Sequence, residues 1–155
     1  MALHIQLIAI GRSMPGWVAD GWREYARRLS APLSLELVEL AAPRAADADR
    51  VRQLEGQALL KRCTEPTWPV ALDGSGAAWS TAELAEQLRQ WLEQHSRVAL
   101  LVGGADGHDR ALLDACRQRW SLGPLTFPHM LVRVIVAEQL YRAWSLLAGH
   151  PYHRA

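Results

Sequence analysis

The run RVALLV at residues 97–102 is followed at once by GGADG, and it constrains the fold more than any other stretch of the chain. A strand with one wet face alternates apolar and polar side chains. Val98 to Val102 are apolar without a break, so this strand needs cover on both faces. Such strands belong to parallel sheets whose crossover helices lie on the two faces. The rest of the chain repeats the theme. LHIQLIAIG reads as a first strand ending at Gly11. WVADGWREYARRL places Trp17, Val18, Trp22, Tyr25, Ala26 and Leu29 at helical spacing, and Pro32 stops it. LSLELVEL alternates as a half-wet strand would, and ADRVRQLEGQALLKRC reads as a second helix. Gly56 inside that helix costs about 1 kcal/mol relative to Ala.

WPVALDGSG is a short buried strand with a turn at its end. TAELAEQLRQWLEQH follows as a helix capped by Ser80 or Thr81, and Glu83 stands three after Ser80, as a capping box requires. After the glycines of residues 103–107, HDRALLDACRQ reads as a helix, RWSLGPLTFPH as irregular, and MLVRVIVAEQLYRAWSLLAG as a long last helix. The alternation predicts an α/β fold, a parallel-rich sheet with helices on both faces.

At 155 residues the chain fits a single domain, 1–155. Its net charge of +1 argues against coating nucleic acid by bulk electrostatics and leaves room for a local basic patch. Cys63 and Cys116 stand far apart without a Cys-x-x-Cys pattern, so both are expected as reduced, packed thiols. No secretory signal and no membrane-length apolar run is evident, which predicts a cytoplasmic protein. The histidines follow no metal-ligand spacing, so no metal is expected.

In a parallel sheet, ligands bind beyond the carboxyl ends of the strands. Three such ends carry glycines: Gly11, Gly74 with Gly76, and Gly103 with Gly104 and Gly107. VGGADG matches neither the dinucleotide fingerprint nor the phosphate-binding P-loop, and Asp73 before Gly74 is an ordinary turn pair. SLGPLTFPH is stranger, an apolar segment broken by Gly123, Pro124 and Pro128. If buried, its backbone groups need partners, which the edge of a heterocycle such as adenine can supply. In the last helix Glu138 and Arg142 stand four apart and share a face. That helix is apolar round most of its circumference, more than a monomer of this size buries, which points to a homodimer. The closing GHPYHRA crowds His150, Tyr152, His153 and Arg154 into five residues, side chains that exchange protons, stack and grip phosphate.

Taken together, LIAIGR, LEGQALL, ALDGSG, LVGGADG, LTFPHMLVRVIVAEQLYRAW and the terminal HPYHR closely resemble, in order and over the whole chain, the RlmH family, formerly the YbeA family. These are small SPOUT-class methyltransferases that modify N3 of a pseudouridine in 23S ribosomal RNA. The resemblance implies the SPOUT fold with a C-terminal trefoil knot, S-adenosyl-L-methionine as cofactor, a homodimer built through the last helix, and no separate RNA-binding domain. It places cofactor contacts at Leu72, Gly103, Leu122, Gly123, Pro124, Leu125, Thr126 and Phe127, among the strand ends and the irregular loop already singled out. It makes His153, Arg154, Tyr152, Glu138 and Arg142 the catalytic candidates, with His129 and Arg133 facing RNA. His153 is the first candidate to take the N3 proton, since an imidazole titrates near neutrality. Ribosomal RNA within the ribosome is the expected partner. The alternatives are a SPOUT enzyme acting on transfer RNA and a knotted binding module without turnover.

Overall fold

The computed structural model describes residues 2–153, with His153 described through its backbone alone. Five strands form one wholly parallel sheet in the order β2-β1-β4-β3-β5. They are β1 (Leu3–Ile10), β2 (Leu33–Leu40), β3 (Trp68–Ala77), β4 (Arg97–Val102) and β5 (Gln118–Trp120). The helices are α1 (Gly16–Ala26), α2 (Ala48–Lys61), α3 (Thr81–Gln94), α4 (Arg110–Ala115) and α5 (His129–Ala148), and a 3-10 turn follows at Pro151–His153.

The two faces of the sheet carry separate cores. Leu3, Ile5, Leu7, Val70, Val98 and Leu100 face α1, α3 and α5, where Leu88, Trp91, Val136 and Leu140 meet them. Ile8, Ile10, Ala71, Ala99 and Leu101 face α2 and α4, where Leu59 and Leu112 close the layer. The unbroken apolar run of β4 is explained by this double cover, since Val98 to Val102 are all buried. Each fully buried aliphatic side chain contributes about 1.5–3 kcal/mol.

Local signals act as the sequence foretells at several ends. Ser80 accepts from the Glu83 amide while Glu83 accepts from the Ser80 amide, so the capping box of α3 is complete. Both thiols are half-buried and unpaired, and burial pushes each up to about 11. A thiol that seldom ionises is a packing residue, not a nucleophile.

Two expectations change. Residues 118–120 extend neither the helix nor the irregular stretch; they are β5, and α4 stops at Ala115. The cause is nonlocal. The Gln118 side chain accepts from the indoles of Trp68 (2.8 Å) and Trp91 (2.9 Å) and donates to Gln87 (2.9 Å), which holds the segment at the sheet edge. The alternation of β2 also breaks. Val38 and Leu40 pack on the α2/α4 side, which turns Glu39 toward α1 and α5. There it meets the buried Arg133 at 2.6 Å.

Candidate active site

The glycine-bearing ends of β3 and β4 lie side by side, and the loop after β5 folds beside them. β3 does not stop at Leu72. It bulges outward over Asp73–Gly76 and returns so that Ala77 pairs with Trp120. Asp73 holds the bulge by accepting from the amide and hydroxyl of Ser75. Gly76 is required there, because a Cβ would stand 2.4 Å from the Arg119 carbonyl carbon. A cavity of about 480 Å³ opens between this bulge, the loop after β4 and the first turn of α5. That size suits one small organic molecule.

Of the residues expected to contact the cofactor, Leu72, Gly103, Leu122, Gly123, Leu125, Thr126 and Phe127 line one cavity. Pro124 belongs to the same loop but is not among the lining residues. The condition of burial on which its backbone groups would need partners is met only in part. Pro124, Leu125 and Thr126 are exposed at the rim, and Leu125 shows 72% of its surface. Ser121 shapes its start by accepting from the Gly123 amide at 3.1 Å.

Residues that sequence reasoning did not assign also reach the cavity. Trp120 forms part of the wall, and Trp79 stacks on it with 5.8 Å between ring centroids. His108 follows the glycine loop, and its Nε2 donates to the Leu101 carbonyl at 3.0 Å. Burial holds this imidazole below its ordinary range, which favours its neutral form. A titratable residue directly after a strand-end glycine loop was the only signal for it in the sequence.

The expected catalytic residues fall elsewhere. Glu138 accepts from Arg142 Nε (2.8 Å), Gln139 (2.8 Å) and the Tyr152 hydroxyl (3.2 Å). Tyr152 lies 4.6 Å from the Tyr141 ring, with the Arg142 guanidinium 5.0 Å and the Arg28 guanidinium 5.7 Å from its own ring centre. Burial and then the neighbouring Tyr25 and Glu138 hold the Tyr152 hydroxyl above the usual phenol range. The tail therefore docks through Tyr152 onto α1 and α5. The His153 side chain and Arg154 lie outside the described residues. Glu138, Arg142 and Tyr152 do not line the cavity, whereas His129 does. At 1.5 Å per residue, Glu138 stands roughly 14 Å along α5 from His129.

Arg133 needs correction as an RNA-facing residue. It has no exposed surface. Its guanidinium pairs with Glu39 at 2.6 Å and donates to the Gly11 carbonyl at 2.8 Å. Gly11 takes a φ of +109°, a conformation that favours glycine. Arg133 thus ties α5 to the carboxyl ends of β1 and β2, and its charge is spent inside the fold.

A parallel α/β sheet with a cavity at its carboxyl end, closed by a Gly/Pro loop entering the last helix, is the arrangement of the SPOUT methyltransferases. The family described as "Predicted SPOUT methyltransferase" matches residues 3–153, and the chain belongs to it. More particularly, the chain is 54% identical to the ribosomal RNA large subunit methyltransferase H of Alkalilimnicola ehrlichii, over 99% of this chain and 100% of the relative. Proteins of the same name from Thioalkalivibrio sulfidiphilus and Hahella chejuensis are 51% and 48% identical, each over 98% of this chain and 99% of their own length. Among solved structures, a probable methylase family protein from Haemophilus influenzae Rd KW20 shares the fold at a TM-score of 0.52 and 14% identity, over 99% of this chain and 70% of that one. The chain is a methyltransferase by family.

Proposed function

We propose that this methyltransferase transfers the methyl group of S-adenosyl-L-methionine to N3 of a pseudouridine in 23S ribosomal RNA, on the assembled ribosome in the cytoplasm. The observation that carries the reading is the full-length similarity to ribosomal RNA large subunit methyltransferases H, with the cavity falling on the residues assigned to the cofactor. The cavity suits that cofactor chemically. It offers the apolar walls of Leu72, Val102, Trp120 and Val132, with the backbone of residues 121–127 at one side for a heterocycle edge. Bound there, S-adenosyl-L-methionine supplies an electrophilic methyl on a sulfonium.

The protein's own part is alignment and proton removal. Gly103 and the loop 122–127 hold the donor, while Arg142 and the tail meet the RNA. His153 is the proposed acceptor of the N3 proton and Arg154 the proposed phosphate or base contact. Glu138 suits an orienting role better than that of a base, because its carboxylate already accepts from Arg142, Gln139 and Tyr152. Those three bonds occupy the carboxylate's acceptor sites. His129 at the cavity mouth is the remaining candidate for an RNA contact.

A homodimer belongs to this reading. α5 is apolar round most of its circumference, and in one chain the Glu138–Arg142–Tyr152 group stands apart from the cavity. Packing through the last helix brings the group of one chain to the cavity of the other. The C-terminal trefoil knot of the SPOUT fold is proposed on the resemblance. Among the described residues no helix is long and apolar enough to cross a membrane, and no cluster of three metal-ligating side chains occurs.

The test is transfer of labelled methyl from S-adenosyl-L-methionine to ribosomes lacking the modification, with free ribosomal RNA and transfer RNA alongside. Label in ribosomes alone is the expected result. Label in transfer RNA would move the substrate and keep the family. Cofactor binding without label anywhere would sink the catalytic reading.

A further inference from the structure

Two adjacent residues of α2 remain unexplained by the reaction, a buried acid and a helix-interior glycine. Glu55 is 4% exposed, the only carboxylate among the buried side chains of the described residues. Among the described residues no cation lies within ion-pair distance of it. Among the described residues its one hydrogen bond is accepted from the Gly104 amide at 3.3 Å. Burying a carboxylate with one neutral partner is costly, and burial accordingly raises its pKa. Fold stability alone does not favour such a residue, since an apolar side chain here would avoid the cost.

The contact lands on the cavity wall. Gly104 opens the loop between β4 and α4, and Gly107 donates to its carbonyl at 3.2 Å. Gly103, Gly104 and Gly107 all line the cavity. A Cβ on Gly104 would stand 2.5 Å from the Glu55 carboxylate, so carboxylate and loop backbone are in direct contact. Gly56 does the matching work at the other end of the loop. A Cβ there would stand 2.6 Å from the Asp109 carboxylate, which caps α4 by accepting from the Leu112 amide at 3.2 Å. The helix propensity lost at Gly56 thus lets α2 approach the end of the same loop that Glu55 grips at its start.

We infer that Glu55, with Gly56 beside it, is a positioning residue that buttresses the Gly103–Gly107 wall of the cofactor cavity from behind. The inference rests on the reading of that cavity as the S-adenosyl-L-methionine site. Glu55 touches no substrate. It acts by fixing the Gly104 amide, and with it the course of a loop whose glycines have little rigidity of their own.

The test compares Glu55→Ala and Glu55→Gln in the full-length protein. Gln keeps an acceptor at the same reach, and Ala removes it. The readouts are S-adenosyl-L-methionine affinity by calorimetry, kcat at saturating cofactor, and amide exchange in the free protein. Ala should weaken cofactor binding about tenfold, the scale of one lost hydrogen bond, and leave saturated kcat within about twofold. It should speed exchange at Gly104 and Gly107 and leave Leu100 and Leu101 as they were, because local opening differs from global unfolding. Gln should restore both readouts. If Ala does not yield folded protein, Glu55→Asp, one methylene shorter, takes its place with the same expected loss.

Three results overturn the inference: wild-type affinity and exchange in the Ala variant, faster exchange spread equally over β4, or a Gln variant as impaired as Ala. Should the wild-type protein bind no S-adenosyl-L-methionine, the cofactor reading itself fails. The exchange data then still report whether Glu55 holds the loop.

Discussion

The cavity and the Glu138–Arg142–Tyr152 group are built from different materials. The cavity is mostly backbone and shape: a bulge at residues 73–76, the glycine loop after β4 and the Gly/Pro loop of residues 121–128. The second region is charged and aromatic side chains spaced on one helix and met by the tail. On the proposed reading, glycine in the first region lets backbone approach the cofactor's heterocycle closely, and the Glu, Arg and Tyr side chains of the second supply the ionisable and hydrogen-bonding groups that RNA chemistry needs. The two share α5, and Arg133 stands on that helix between His129 and Glu138, anchoring it to Glu39 and Gly11.

This shared anchor predicts the largest effect. Arg133→Ala leaves Glu39 without its ion pair and should cost about 3 kcal/mol of stability, read from denaturant unfolding. Cofactor affinity and turnover should fall together, because both regions lose their common base. A variant as stable as the wild type would detach Arg133 from this role.

Next in size is a separation of binding from chemistry. Arg142→Ala should lower saturated turnover about 100-fold and leave S-adenosyl-L-methionine affinity within about twofold. Equal losses in both quantities would merge the two regions into one site. On the other side, a Cβ at Gly103 would stand 3.1 Å from the His108 ring and from the Gly107 carbonyl. Gly103→Ala should therefore weaken cofactor binding about tenfold and spare turnover at saturation, since the neighbours can give only by tenths of an ångström.

The smallest effect is a pH dependence confined to the cavity side. His108 is held neutral by burial, its folded pKa below the unfolded value of about 6.5. Its contribution is present above that value and is lost as pH falls below it, while the unfolded chain takes up the proton first. Glu55 has the opposite sign: raised in the fold, it favours folding at low pH and loses that contribution as pH rises through its folded value. Melting curves between pH 5 and 8 should show His108→Gln less sensitive to acid than the wild type. An unchanged acid slope would show that His108 titrates freely.

The two regions were unequally legible in the sequence. The strands, the covered sheet and the capping box of α3 follow from patterns within a dozen residues, and so does the pairing of Glu138 with Arg142 at i and i+4. The strand-end glycines marked where the cavity lies. Hidden from local reading were the features set by distant contacts: β5, held by Gln118 against two tryptophans, and Glu39, turned inward where the β2 alternation breaks to meet Arg133. Glu55 escaped for the same reason, because the Gly104 amide it meets comes near it only after folding.

The central claim is that one chain supplies the cavity and its partner supplies the Arg142 side, and complementation between two inactive variants tests it most directly. Arg142→Ala keeps an intact cavity, and Gly103→Val keeps an intact Arg142 group. Each alone should fail to methylate ribosomes. Mixed and allowed to exchange subunits, the two should recover about a quarter of wild-type activity, because half of the dimers are mixed and each mixed dimer holds one whole site of two. No recovery from a mixture shown to contain mixed dimers would contradict the account and place cavity and catalytic group within a single chain.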